Sequence, residues 1–137
     1  YVENIKSMIQ EYQLEDNIEI SDHYSDIDDF FSQLDLFLFL SESEGFGLVV
    51  LEAIENNVAV VCSNISPLNE FVTNVDNCLV DRENTRETAN IIKGYFDNEQ
   101  EKLEQVQSRQ KDFIVQNFSI ENTAKSFEKF YINTNNV

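Results

Sequence analysis

Residues 36–63 read LFLFLSESEGFGLVVLEAIENNVAVVCS, and the fold turns on the two apolar runs that bracket this stretch. LFLFL (36–40) and VAVVCS (58–63) are apolar with no polar alternation. A strand with one wet face alternates, so a strand without alternation is expected to be covered on both faces, as in a parallel sheet. Between the two runs, a helix from about Gly47 to Asn56 is expected. Strand, helix and strand in that order form a crossover unit.

Moving outward, the alternation continues on both sides. Val2, Ile5, Ile9 and Tyr12 recur at helical spacing, and IEI (18–20) reads as a short strand. In SDIDDFFSQL, Ser25 is the expected N-cap with Asp28 three residues on, ahead of an apolar stripe of Ile27, Phe30, Phe31 and Leu34. Downstream, Ser66 and Pro67 open a short helix with proline at its first position, and CLV (78–80) reads as the last strand. From about Thr85 the pattern is wholly helical: Ala89, Ile92 and Phe96 mark one helix, and Leu103, Val106 and Phe113 a second. Ser119 caps a third, which carries Ala124, Phe127 and Tyr131. Strands alternating with helices predict an α/β fold with an open, doubly wound parallel sheet.

Composition narrows the function classes. The chain has 137 residues, enough for one ordinary core. Its 42% hydrophobic content argues against disorder. No apolar run reaches the length of a membrane span, and the N-terminus lacks the pattern of a secretory signal, so no direct membrane insertion is expected. Nine Lys and Arg against 26 Asp and Glu give a net charge of −17. No basic stripe is available for a nucleic acid, and a phosphate ligand would need its countercharge from backbone dipoles or from outside these residues. Cys62 and Cys78 lie in apolar runs and are expected to be buried free thiols in a reducing, cytoplasmic setting.

In open parallel sheets ligands sit outside the carboxyl ends of the strands, which is where residues 41–46 leave LFLFL and enter a helix. Gly45 and Gly47 allow close approach of the backbone and dihedrals closed to other residues. The N–H groups of Phe46, Gly47 and Leu48 would face whatever lies above the helix start, where phosphate is favoured. Glu44 and Glu52 could each accept hydrogen bonds from a vicinal pair of sugar or ribose hydroxyls. Each also has a plain alternative. Glu44 is favourable near a helix N-terminus without a ligand, and Glu52 could belong to a solvated face with Glu55 and Asn56.

The segment SESEGFGLVVLEAIENNVAVVCSNISPLNEFV (41–72) resembles the signature region of retaining glycosyltransferases of family 4 (glycosyl transferases group 1), and the likeness continues to FSIENTAKSFEKFY (118–131). Its most specific part is the pair Glu44 and Glu52, with seven residues between them, within EGFGLVVLEA. The resemblance implies a Rossmann-like sheet forming the C-terminal part of a two-domain GT-B enzyme, with residues 1–131 as the nucleotide-sugar-binding domain and 132–137 as a frayed tail. Glu44 would face the transferred sugar as the catalytic-site acid. Gly45 and the amides of Phe46, Gly47 and Leu48 would lie against sugar and diphosphate, and Glu52 would hold the ribose. Glu70 matches a recurrent family acid and is read as peripheral. Ser21–Tyr24 fall where members wall the nucleobase, with His23 read as a surface residue.

This chain departs from the family pattern in three ways. Asn57 and Ala59 replace Gly and Pro, and Asn tolerates the left-handed conformation needed there. Val75 and Cys78 replace two glycines near the last strand. Nothing matches the family's first two central strands or its diphosphate-neutralising Arg and Lys, so IEI would lose its usual neighbours. The implied activity is metal-independent, retaining transfer from a nucleotide-diphosphate sugar, without a cofactor, to a glycan or lipid-linked acceptor in polysaccharide biosynthesis. The acceptor side, and any membrane association, would come from a missing N-terminal domain, and this segment alone would be inactive. Asp22, Asp26, Asp28 and Asp29 read as a solvated helix start rather than a metal site. Two other readings stay open: a non-catalytic nucleotide or sugar-phosphate binding module, and a receiver-like interaction domain. The second lacks the acidic and lysine strand ends it would need.

Overall fold

The computed structural model describes residues 1–72, 78–97 and 100–134. They divide into two units, residues 1–30 and residues 31–137. The first holds α1 (Val2–Glu11), whose amphipathic spacing yields no fully buried residue. IEI does not form a strand, and Ile18 and Ile20 are both exposed. A strand needs a neighbour for its N–H and C=O groups, and none flanks IEI among the described residues; Ile18 N instead bonds back to the Leu14 carbonyl in a turn at 3.0 Å.

Helix α2 (Ile27–Phe31) is capped one residue later than expected. Asp26, not Ser25, is the cap: its Oδ1 accepts from Asp28 N at 2.9 Å and Asp29 N at 3.2 Å. One carboxylate oxygen, directly before the helix, reaches both orphan amides, and so Asp26 takes the position.

The second unit is the α/β body. Strands β1 (Leu36–Phe39), β2 (Ala59–Ser63) and β3 (Leu79–Val80) form one parallel sheet in the order β1-β2-β3. Leu36 pairs with Ala59 and Phe39 with Cys62, while Cys62 pairs with Leu79 and Ser63 with Val80. Helices α3 (Leu48–Glu55), α4 (Leu68–Phe71), α5 (Thr85–Phe96), α6 (Gln100–Phe118) and α7 (Ile120–Thr134) complete it. Both α3 and α6 pack on β2. The body is therefore a Rossmann-like parallel layer within a mostly helical chain, in line with the C-terminal part of a GT-B enzyme.

Burial separates the two diagnostic runs. Every residue of β2 is buried, as its sequence demands. Strand β1 is only half-covered, and Leu38 is 41% exposed. The reason is position: β1 is the outer strand of the three, so one edge has no strand beside it among the described residues. On one side of the sheet Ala59, Val61 and Val80 pack with Tyr95, Leu103 and Val106, and Leu36, Leu40 and Ile91 close over them. Across β1 the rings of Phe37 and Phe39 stack at 5.6 Å, and Phe31 meets Phe37 edge-on at 5.5 Å.

Polar side chains finish what the backbone leaves open. Strand β3 is short, so Val60 has no β3 partner. Gln110 of α6 takes that place: Val60 N donates to its Oε1 at 2.9 Å, and its Nε2 donates to Val60 O at 2.8 Å. Asn57 adopts φ 60° after α3, the left-handed turn expected of it. Asn84 caps α5 by accepting from Glu87 N, and Ser119 caps α7 by accepting from Asn122 N at 3.3 Å. Pro67 precedes α4 as its cap rather than opening its first turn. Helix α7 runs to Thr134, beyond the boundary expected at 131. Residues 135–137 of the expected tail, and Val75 among the family departures, lie outside the described residues.

Both cysteines are free and buried. Burial, and then the neighbouring Cys78, push the Cys62 thiol up to about 12.

Candidate functional site: the rim between β1 and α3

The loop after β1 is shaped before it reaches the helix. Ser41 Oγ donates to the Ser43 carbonyl at 2.9 Å, a local turn that leads the chain toward Glu44. Gly47 is the N-cap of α3 and sits at φ 82°, ψ 36°, in the left-handed region. A Cβ there would lie 2.4 Å from Leu68 Cδ2, and Leu68 is fully buried. Dihedral and space together require glycine. Gly45 differs from expectation: its φ lies outside the left-handed region, and an added Cβ would meet nothing within 4 Å. Its small size leaves the rim open rather than permitting a strained turn.

Phe46 stays 53% exposed, yet its ring lies 5.1 Å from that of Phe71, which in turn meets Phe118 at 5.2 Å. That aromatic run ties the loop to α4 and α6. At the far end of α3, Lys111 Nζ donates to the Glu55 carbonyl at 3.2 Å and to Asn57 Oδ1 at 2.6 Å. A cation at a helix C-terminus satisfies orphan carbonyls and the dipole. Helix α3 is thus held at both ends, with Val50, Ala53 and Ile54 buried.

The start of α3 carries unmet donors. Its first bond runs from Val50 N to the Gly47 carbonyl at 3.0 Å. The N–H groups of Phe46, Gly47 and Leu48 have no acceptor among the described residues. No acidic residue lies in the first helical turn. These are the conditions under which a helix N-terminus attracts an anion.

Glu44 is half-buried in the loop and Glu52 is exposed on α3. Neither carboxylate makes a hydrogen bond or ion pair among the described residues. Asn56 Nδ2 bonds the Glu52 backbone carbonyl at 3.1 Å and leaves the carboxylate alone. Glu52 follows Leu48 by four residues, so it rises one turn above the open helix start on the same face. Glu70 is engaged locally, accepting from Ser66 Oγ at 3.2 Å, and His23 is exposed. Among the described residues no group of three or more His, Cys, Asp or Glu side chains could hold a metal ion. No helix among them is long and apolar enough to cross a membrane.

Three polar anchors were not among the sequence expectations: Gln110, Lys111 and Arg82. Arg82, after β3, pairs with Glu42 at 3.4 Å and Glu83 at 3.0 Å. Only Gln110 left a signal, a polar residue in the apolar stripe of Leu103, Val106 and Phe113.

Comparison with known proteins adds an independent line. The family model for glycosyl transferases group 1 matches residues 1–113. The O-antigen biosynthesis glycosyltransferase WclY of Escherichia coli is 39% identical over 62 residues, covering 45% of this chain and 18% of that protein. The lipopolysaccharide core biosynthesis mannosyltransferase LpsB of Rhizobium meliloti (strain 1021) is 35% identical over 69 residues, or 50% of this chain and 20% of that protein. The chain spans about a fifth of the length of these curated relatives.

Proposed function

Because this chain belongs to the glycosyl transferases group 1 family, we propose that its β1–α3 rim is the donor site of a retaining, metal-independent, family 4 type enzyme. The donor is a nucleotide-diphosphate sugar. The amides of Phe46, Gly47 and Leu48 hydrogen-bond the diphosphate and meet the charge that builds on it as the glycosidic bond breaks. Glu44 accepts from hydroxyls of the transferred sugar, and Glu52 from the ribose pair. Gly45 leaves room for the sugar to approach. No cofactor takes part. The acceptor is a glycan or lipid-linked saccharide of the kind implied by the O-antigen and lipopolysaccharide roles in the relatives' names. It is brought by the rest of a longer enzyme that works in the cytoplasm and meets the membrane through that part.

The observation that carries this reading is the unpartnered set itself: three amides at the start of α3 and two carboxylates beside them, all without partners among the described residues. The test is titration of the full-length protein with UDP-, GDP- and ADP-sugars, following backbone amide shifts. One donor should move Gly45–Leu48. A charged hydrogen bond is worth about 1.5–3 kcal/mol, so Glu52→Ala should weaken donor binding roughly 10- to 100-fold. Glu44→Gln should cut turnover more than donor affinity. Unmoved amides, or unchanged affinity in Glu52→Ala, would remove the site.

A further inference from the structure

A cavity opens at the carboxyl ends of β2 and β3, reached by Glu42 of the loop that follows β1. It encloses about 310 Å³ and is lined in part by Glu42, Ser63, Asn64, Asp81, Arg82 and Glu83. Ser63 is 1% exposed, and its hydroxyl is the one buried side-chain oxygen or nitrogen without a hydrogen-bond partner among the described residues. Buried hydroxyls are ordinarily satisfied, and an orphan one calls for an account. Beside it, Asn64 Oδ1 accepts from Asn69 Nδ2 at 3.4 Å, which leaves the Asn64 amide hydrogens available. Asp81 Oδ1 accepts from Glu83 N at 3.0 Å and keeps its other oxygen.

Charge decides the ligand class. The one guanidinium, Arg82, is already matched by Glu42 and Glu83, and Asp81 adds a third carboxylate. A phosphate or carboxylate would meet net repulsion. A bare cation finds no liganding cluster among the described residues. What remains is a neutral molecule rich in hydroxyls, since each hydroxyl donates to a carboxylate and accepts from an amide, hydroxyl or guanidinium. The volume lies at the small end of the range for ligand pockets, about 300–1,000 Å³, which suits a single sugar unit.

We propose that this cavity is a saccharide subsite next to the donor rim, taking one neutral sugar unit of an acceptor whose remainder is held by the rest of the longer enzyme. The acceptor assignment rests on the glycosyl-transfer reading above; the binding of a neutral sugar does not. Glu42 and Glu44 belong to one loop, so an occupant at Glu42 lies two residues along the chain from the acid proposed to face the transferred sugar.

The test uses the full-length protein with methyl α-mannoside, methyl α-glucoside and inorganic phosphate as probes, read by backbone amide shifts. At least one glycoside should shift Asn64, Asp81 and Arg82, and phosphate should not. Loss of one neutral hydrogen bond should weaken that binding by about three- to tenfold in Ser63→Ala. Arg82→Gln, at a half-exposed position, should do the same and decides the matter if Ser63→Ala fails to fold. Phosphate shifts at Asn64, Asp81 and Arg82, glycoside shifts confined to Phe46–Leu48, absence of any glycoside effect, or full binding in both variants would overturn the proposal. Nucleotide shifts at Phe46–Leu48 without glycoside shifts at Asn64–Arg82 would sink this subsite and leave the donor site standing. The opposite pattern would support the subsite and remove the donor reading.

Discussion

Gly47 and Gly45 look alike in the motif but carry different burdens. At Gly47, alanine would have to adopt φ 82° and push its Cβ into Leu68. The left-handed conformation costs about 1–2 kcal/mol and overpacking another 1–3. Gly47→Ala should therefore lower unfolding free energy by about 2–5 kcal/mol in urea titrations, while Gly45→Ala should stay within about 0.5 kcal/mol of the parent. Equal losses at both would refute the distinction. Cys62 gives a pH prediction. Its folded-state thiol titrates at about 12 against an ordinary 9.0, so the folded state holds its proton where the unfolded state releases it. Stability from this group is full below about pH 9 and is lost as pH rises toward 12. Alkaline destabilisation should be shallower in Cys62→Ala than in the parent; equal slopes would show that other groups dominate. The motif made Glu44, Glu52 and both glycines visible in sequence. It did not separate the two glycines, because the left-handed φ of Gly47 and the packed Leu68 beside it do that.

Strand β2 and helix α6 show how one side chain can stand in for a strand. Gln110 presents an amide to both backbone groups of Val60, in a buried position. Removing it leaves a buried N–H and a buried C=O unmet, at about 1–3 kcal/mol each. Gln110→Ala should cost at least about 2 kcal/mol and should speed hydrogen exchange at Val60 more than at neighbouring β2 amides. Gln110→Leu, which keeps the volume, should rescue little; near-parent stability in Gln110→Leu would mean that packing, not pairing, is the role. In sequence Gln110 is a polar interruption of an apolar stripe, and its partner 50 residues away depends on β3 being short. The same dependence explains IEI, which has strand chemistry but no neighbour to pair with among the described residues. Elements whose stability is local, such as α3 with its glycine start or α7 with its Ser119 cap, could be read directly. The substitute pairing by Gln110 and the unpaired state of IEI, which turn on distant neighbours, could not.

The chain as a body carries −17 on 137 residues, and the ion pairs described, such as Lys6–Glu3 and Arg82–Glu42, are at least partly exposed and weak. Fold class followed from two unbroken apolar runs, whereas the half-open flank of β1 followed from which strands lie beside it. Charge adds a property that no single contact shows. Acids at this density repel one another in the compact state, and the unfolded chain relieves that repulsion by expanding. Added salt shortens the screening length from about 30 Å at 0.01 M to about 3 Å at 1 M, so it should relieve the folded state more. The thermal midpoint should accordingly rise by several degrees between about 0.01 and 0.5 M sodium chloride, a change of order 1 kcal/mol. A salt with little effect on apolar burial is the right choice, because sulfate would stabilise any fold through exclusion. A midpoint that stays flat or falls with sodium chloride would mean that local pairs such as Arg82 with Glu42 and Glu83, rather than net repulsion, govern the electrostatics. The proposed donor rim would then need far less outside countercharge than its setting among so many carboxylates implies.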